Sequence, residues 1–410
     1  MKIKSSSFKK YIDNDGGIKM YNFEELLDRN NNGSKKWNME YIKKRFPGTK
    51  DKIYPLFIAD MDYKLPEEIM NSFVEFIGKG DFGYFDILSD FNDSIVNWYK
   101  KIQDICIQDS WIVPGIGTIT SIKQAISALK NEEENILIFT PVYGPFRDVV
   151  IKNNCNLIKH PLLLNEDESE YIIDFKKLEN DIIKNNVTSI LFCNPHNPSG
   201  KIWDKNELDN LIDLCKKYNL KLFVDEVHSD LVLGKKEFIS MVNYFDEYKN
   251  IIINSAPNKT FNLAGLNASY LLTPNEEYKK LFQEELSNNK LTLNRIGYKF
   301  LTICYENGEQ WVYELRNNIK ENYEIVKDIL SNSNVKIIEP QSSYLLWVKL
   351  NNVEDVDKFV IELAQNTGVL LETGSRFIEN YERFVRINLA TSKEILRESM
   401  RALVKFLESR

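Results

Sequence analysis

Ser189-Ile190-Leu191-Phe192-Cys193-Asn194-Pro195-His196-Asn197-Pro198-Ser199-Gly200 is an apolar run that stops in a turn. The run has the length of a buried strand and is too short for a helix. Pro195, Pro198 and Gly200 then impose a rigid turn. The same grammar repeats on both sides. Lys221-Leu222-Phe223-Val224 runs into Asp225-Glu226-Val227-His228, and Ile251-Ile252-Ile253 runs into Ser255-Ala256-Pro257-Asn258-Lys259. Upstream, Asn135-Ile136-Leu137-Ile138-Phe139 runs into Thr140-Pro141-Val142-Tyr143-Gly144-Pro145, and Ala268–Leu272 supplies a further apolar run downstream. Between the runs lie amphipathic stretches such as Glu207–Cys215. This alternation predicts an α/β fold with a mainly parallel sheet. Ligands of such sheets bind outside the carboxyl ends of the strands.

Asn197, Asp225 and Lys259 fall at those ends, in that order. A buried ammonium without a partner is costly, so a lysine at a strand end has a task. Together the three residues have the arrangement of a pyridoxal 5'-phosphate site. The lysine attaches the cofactor, the aspartate pairs with the pyridinium nitrogen and the asparagine bonds the ring hydroxyl. Asp225 has a capping alternative, because strand–Asp–helix is also helix N-cap chemistry. Tyr143 offers a ring to stack on the cofactor; Lys259, Asp225 and Tyr143 are the candidate catalytic residues. Ile116, Gly117 and Thr118, in Pro114-Gly115-Ile116-Gly117-Thr118, precede a helical pattern and suit a phosphate on backbone N–H groups. Ser255 joins the cofactor-binding candidates. His228 is a candidate acid, base or ring contact. Arg386, flanked by apolar residues in Phe384–Leu389, wants a bidentate carboxylate: a substrate's α-carboxylate or an internal ion pair.

The 410 residues carry a formal net charge of −7 and are 43% hydrophobic and 28% charged, ordinary for a soluble globular chain with a sizeable core. The acidic balance argues against a nucleic-acid partner. Lys35-Lys36 and Lys216-Lys217 read as solvated surface. The five scattered cysteines form no C-x-x-C pair, and none of the three histidines is spaced with a cysteine for a metal. No apolar run approaches a membrane span and no apolar leader opens the chain, so a cytoplasmic location is expected.

The expected organisation is a polar extension over 1–20, an N-terminal segment over 21–64 that contributes to the small domain, a large cofactor-binding domain over 65–295 and a smaller α+β domain over 296–410. The last two carry a helical region near 275–333, strands at Ser343–Val348 and Phe384–Leu389, and a final helix from Lys393 to Leu407.

From Tyr21 to the C-terminus the motifs resemble fold-type I pyridoxal-phosphate enzymes of the class I/II aminotransferase superfamily. They are most similar to the MalY/PatB-type cystathionine β-lyases, or C–S lyases. The residues that carry this are Tyr21-Asn22-Phe23-Glu24-Glu25, Asp28-Arg29, Lys36-Trp37, Ile58-Ala59-Asp60-Met61-Asp62-Tyr63, Gly83-Tyr84, Pro141–Tyr143, Asn194–Gly200, Asp225–His228, Lys259–Leu266 and Arg386-Ile387-Asn388. His228 and Asn267 stand where aminotransferases commonly have Tyr and Arg. Asn258, Phe57 and Gly117-Thr118 depart from the lyase group's usual residues. The resemblance implies the aspartate aminotransferase-like fold and a homodimer with shared sites, in which Tyr84 reaches the neighbouring subunit's cofactor and substrate. It also implies that Arg386 and Asn197 contact the substrate. The reaction implied is elimination of a thiol from cystathionine or a related cysteine S-conjugate. Aminotransfer is the alternative, and a regulatory binding protein on the same fold a more distant one.

Overall fold

The computed structural model describes residues 21–379 and 382–410, so the extension expected over 1–20 lies outside the described residues. A seven-stranded sheet dominates. Its strands are β1 (Ile112–Gly115), β2 (Asn135–Thr140), β3 (Asn156–Pro161), β4 (Ser189–Cys193), β5 (Lys221–Asp225), β6 (Ile251–Ser255) and β7 (Ser269–Leu272). They lie in the order β1-β7-β6-β5-β4-β2-β3. The pairs from β6 through β5, β4 and β2 to β3 are parallel, whereas β7 runs antiparallel to both neighbours.

The inner strands β2, β4, β5 and β6 are buried on both faces because both faces are covered. Alternate residues enter two separate cores. Leu137, Phe139, Ile190, Phe192, Leu222 and Val224 pack on one side. Ile136, Ile138, Leu191, Cys193 and Phe223 pack on the other. That two-residue period is the pleat itself. The crossover helices are locally encoded. Lys205–Tyr218 opens with a reciprocal cap between Asp204 and Glu207 and ends at Asn219 in the left-handed region. It buries Leu208, Leu211, Ile212 and Cys215, one helical face, each leucine or isoleucine contributing about 1.5–3 kcal/mol.

A second, antiparallel sheet contains β8 (Val335–Ile338), β9 (Leu345–Leu350), β10 (Glu372–Thr373) and β11 (Phe384–Asn388), in the order β8-β9-β11-β10. The strand expected from Ser343 starts at Leu345, because Ser343 has φ +69° and breaks the extended backbone. The helix Lys393–Glu408 closes the chain.

Two devices bring the sheets together. Residues 53–63 thread between them: Asn388 N–H donates to the Leu56 carbonyl (2.9 Å) and Asp62 N–H to that of Ala390 (3.0 Å). The helix Glu309–Leu330 touches both sides. Its Trp311 Nε1 donates to the Thr260 carbonyl (2.8 Å), beside Lys259. Its Asn322 Nδ2 donates to the carbonyl of Leu389 (2.8 Å), beyond β11.

Candidate active site

The site lies where β4, β5 and β6 end and the 53–63 segment crosses them. Asp225 is the last residue of β5 and is buried. Its Oδ1 accepts from Val227 N–H and Asn254 Nδ2, each at a long 3.3 Å. Among the described residues no cation lies within ion-pair range of it. Burial therefore pushes its carboxyl up to about 6. A turn, not a helix, follows Asp225, so it caps nothing.

Lys259 is half-buried four residues past β6, and its Nζ donates to the carbonyl of Ala59 at 2.9 Å. Burial, then the charge of Arg386, brings its ammonium down to about 8. Arg386, buried on β11, donates to Asn197 Oδ1 (3.2 Å) and the Phe57 carbonyl (3.4 Å), and its guanidinium lies 5.0 Å from the Phe377 ring centre. No carboxylate among the described residues pairs with it, so the internal ion pair is not its role. Since Asn197 Oδ1 is taken, the Asn197 amide NH2 remains as a donor.

His228 is buried on the turn after Asp225. Its Nδ1 is 3.0 Å from Ser343 Oγ, and its Nε2 has no partner among the described residues. Burial and the nearby cations Lys259 and Arg386 hold it neutral. His196 has a structural task. Nε2–H donates to the Pro141 carbonyl (2.9 Å), which leaves Nδ1 to accept from Ser199 Oγ (2.7 Å). It ties the Asn197 turn to the Tyr143 turn. Tyr143 is half-buried there, with its phenol raised chiefly by burial.

At the foot of the helix Thr118–Leu129 the cradle is tight. A Cβ on Gly115 would lie 2.5 Å from both Ser121 Oγ and Ser269 Oγ, and Gly117 has φ +90°. The N–H of Ile116 donates to Ser121 Oγ (2.9 Å) and that of Gly117 to Ser269 Oγ (3.0 Å). An anion here would therefore use Thr118 and the first helical turn, with Ile116 and Gly117 shaping the approach. Ser255 ends β6 and is buried. Tyr84 is fully exposed and bonds to none of these residues within the chain.

Sequence reasoning gave residues 21–64 to the small domain and did not read the contacts that residues 53–63 make across the strand ends. The Ala59 carbonyl, which takes Lys259, also accepts from Tyr344 Oη at 3.2 Å. Asn388 Nδ2 holds the carbonyls of Ile58 and Asp60, both at 2.6 Å. Asn262 brackets Met61 through both its N–H and its carbonyl, each at 3.0 Å. Asp62 is anchored by Lys36 Nζ (2.8 Å) and Trp37 Nε1 (2.9 Å), and Arg29 forks onto Asp60 (2.7 and 3.1 Å). Lys36 thus corrects the expectation of solvated surface: it is fully buried. The signal was Asp-x-Asp inside an apolar run, since buried carboxylates demand cations. Lys216 and Lys217 do pair at the surface, with Glu247 and Glu179.

The aminotransferase class I and II model matches residues 53–403. The chain belongs to that family. It is 30% identical to the cystathionine beta-lyase PatB of Bacillus subtilis over 387 residues, 93% of this chain and 98% of that one. Among solved structures, a PLP-bound protein of Clostridium difficile 630, provisionally described as an aminotransferase, is 34% identical with a TM-score of 0.88, covering 94% of this chain and 99% of that one. The PLP-bound C-S lyase of Staphylococcus hominis is 27% identical with a TM-score of 0.86, covering 95% and 98%. The fold is thus the aspartate aminotransferase-like one that the motifs implied. Among the described residues no helix is long and apolar enough to cross a membrane.

Proposed function

We propose that the chain is a pyridoxal 5'-phosphate-dependent C–S β-lyase, which releases a thiol, pyruvate and ammonia from cystathionine or a related cysteine S-conjugate. The observation that carries this is the set of buried polar groups lacking partners at one point. Among the described residues, Asp225 has no cation, Arg386 has no anion and His228 Nε2 has no partner. Unpaired groups of this kind persist where a ligand completes them. The cofactor fits them. Asp225 would meet its ring nitrogen, the Asn197 amide its ring oxygen, Tyr143 its face, Lys259 its aldehyde carbon, and the helix start at Thr118 its phosphate.

When bound there, pyridoxal phosphate supplies an electron sink for the bonds at the substrate Cα. The chain's own residues do the rest. Arg386 holds the α-carboxylate and so fixes which Cα bond faces Lys259. The Lys259 amine, brought down to about 8, is sufficiently free of its proton near neutrality to take the Cα proton. It then returns a proton to the departing sulfur as the Cβ–S bond breaks. Asp225, ionised above about 6, holds a proton on the ring nitrogen. Tyr84, fully exposed in one chain, is assigned to a neighbouring copy's site in a cytoplasmic homodimer.

The same Lys259, Asp225 and Arg386 serve aminotransfer, and the 34% identical C. difficile structure keeps that second reading in view. Purified protein incubated with L-cystathionine separates the two. Equimolar pyruvate and thiol establish the lyase. Loss of an amino acid with a matching gain of 2-oxo acid, and no thiol, makes it an aminotransferase.

A further inference from the structure

Glu372 and Arg386 are register partners on β10 and β11. Both are buried, at 6% and 4% exposure. Opposite charges in that position would ordinarily join, yet here they do not. The Glu372 carboxylate pairs with Arg45, the last residue of the helix Met39–Arg45. Arg45 is itself fixed, with its guanidinium 4.9 Å over the Phe57 ring and 5.4 Å over that of Phe46. Arg386 is left with neutral company: the Asn197 side-chain oxygen, the Phe57 carbonyl and the Phe377 ring. Phe57 touches both arginines, one through its ring and the other through its backbone.

We infer that Arg45 is a positioning residue: it holds Glu372 off Arg386, so that the Arg386 fork stays open to the carboxylate of an amino-acid substrate. This rests on the assignment of Arg386 proposed above. The arrangement meets two opposed demands. A buried guanidinium needs negative charge nearby to be tolerated at all. A carboxylate in direct contact would occupy the fork that the substrate needs. Glu372, near but engaged elsewhere, satisfies the first demand without violating the second. If Arg45 is removed, a buried carboxylate loses its partner, and its cross-strand neighbour is Arg386.

The test uses the holoenzyme and two probes. 3-(Methylthio)propanoate carries a carboxylate and a thioether without the amine; 2-(methylthio)ethylamine carries the amine without the carboxylate. Calorimetric Kd values are measured for wild type, Arg45→Met, Arg45→Lys, Glu372→Gln, Arg45→Met/Glu372→Gln and Arg386→Met. Arg45→Met is expected to weaken the propanoate by about tenfold or more, equivalent to about 1.4 kcal/mol. Arg45→Lys keeps a charge on Glu372 and holds the wild-type value. The double variant, with no carboxylate left to intrude, recovers most of the loss. The amine probe does not change across the Arg45 and Glu372 variants. An unchanged propanoate Kd in Arg45→Met overturns the inference. So does a double variant as weak as the single one, because the defect is then one of folding. Arg386→Met is the separate control: if it leaves propanoate binding intact, the assignment of Arg386 fails.

Discussion

The large sheet buries charge at both of its ends, and the two ends treat it differently. At the amino end, Lys221 opens β5 and places Nζ 2.9 and 3.1 Å from the two oxygens of Glu134. Glu134 also accepts from Ser189 Oγ, at the start of β4, and from Asn131 N–H at 2.9 Å. Lys221 and Glu134 thus each have their counter-charge. At the carboxyl end of the same strands, among the described residues, Asp225 has only two long hydrogen bonds and Lys259 one carbonyl, and Arg386, reaching in from β11, has only neutral acceptors. One end is finished by the chain alone; the other waits for a ligand. Burial by itself therefore does not mark a site. Burial without satisfaction does.

The comparison breaks most visibly at Lys259. Lys259→Ala should reduce pyruvate formation by at least about 10³-fold, since it removes both the attachment point and the proton carrier. The thermal midpoint of the cofactor-free protein should not fall, because no counter-charge is orphaned. A lower midpoint would mean that Lys259 holds the fold. The opposite end should behave in reverse. Lys221→Met leaves Glu134 buried and unpaired, costing about 3–5 kcal/mol in urea unfolding, with kcat unchanged. Lys221→Met/Glu134→Gln should recover much of that loss. If kcat fell with stability, the two ends would not be separable.

A third difference is one of sign with pH. The folded-state pKa of Asp225, about 6, is above the ordinary carboxylate value of about 3.9. The folded cofactor-free protein thus keeps a proton that the unfolded chain has lost. Stability should fall by about 3 kcal/mol as pH rises through that window from 4 to 6. Lys259 runs the other way. Its pKa is lowered from 10.5 to about 8, so its penalty is complete below pH 8 and relieved as pH rises toward 10.5. Unfolding of Asp225→Asn between pH 4 and 6 should lack the first slope. The same slope in wild type and variant would assign it elsewhere.

The part of this site legible in sequence was the part written in consecutive residues. An apolar run followed by Asn-Pro-x-Asn-Pro, by Asp-Glu, or by a lysine within a few residues gives both strand and strand-end group. Those strands came out close to where the runs lie. The polar wall across the strands did not read the same way. Lys36 looked like any surface lysine, because its partners Asp60 and Asp62 reach it only through tertiary packing. The Glu372–Arg386 register is a cross-strand relation, and a single strand's pattern carries no record of its neighbour. Nor did the amides of Ile116 and Gly117 announce that Ser121 and Ser269 engage them.

The smallest predicted effect sharpens the comparison at one atom. Among the described residues, Ser343 supplies the single partner of His228 Nδ1, from a backbone at φ +69°. Any L residue pays for that conformation; glycine does not. Ser343→Ala keeps the strain and loses the hydroxyl, leaving a second buried imidazole nitrogen unpaired, so it should cost about 1–2 kcal/mol. Ser343→Gly loses the same bond but relieves the backbone, so it should be the more stable of the two. If the hydroxyl also aims the free Nε2 at the cofactor, both variants should release pyridoxal phosphate more readily on dialysis, by a similar factor of a few. Equal cofactor retention in wild type, Ser343→Ala and Ser343→Gly, alongside the stability difference, would move His228 from the waiting end of the sheet to the finished one.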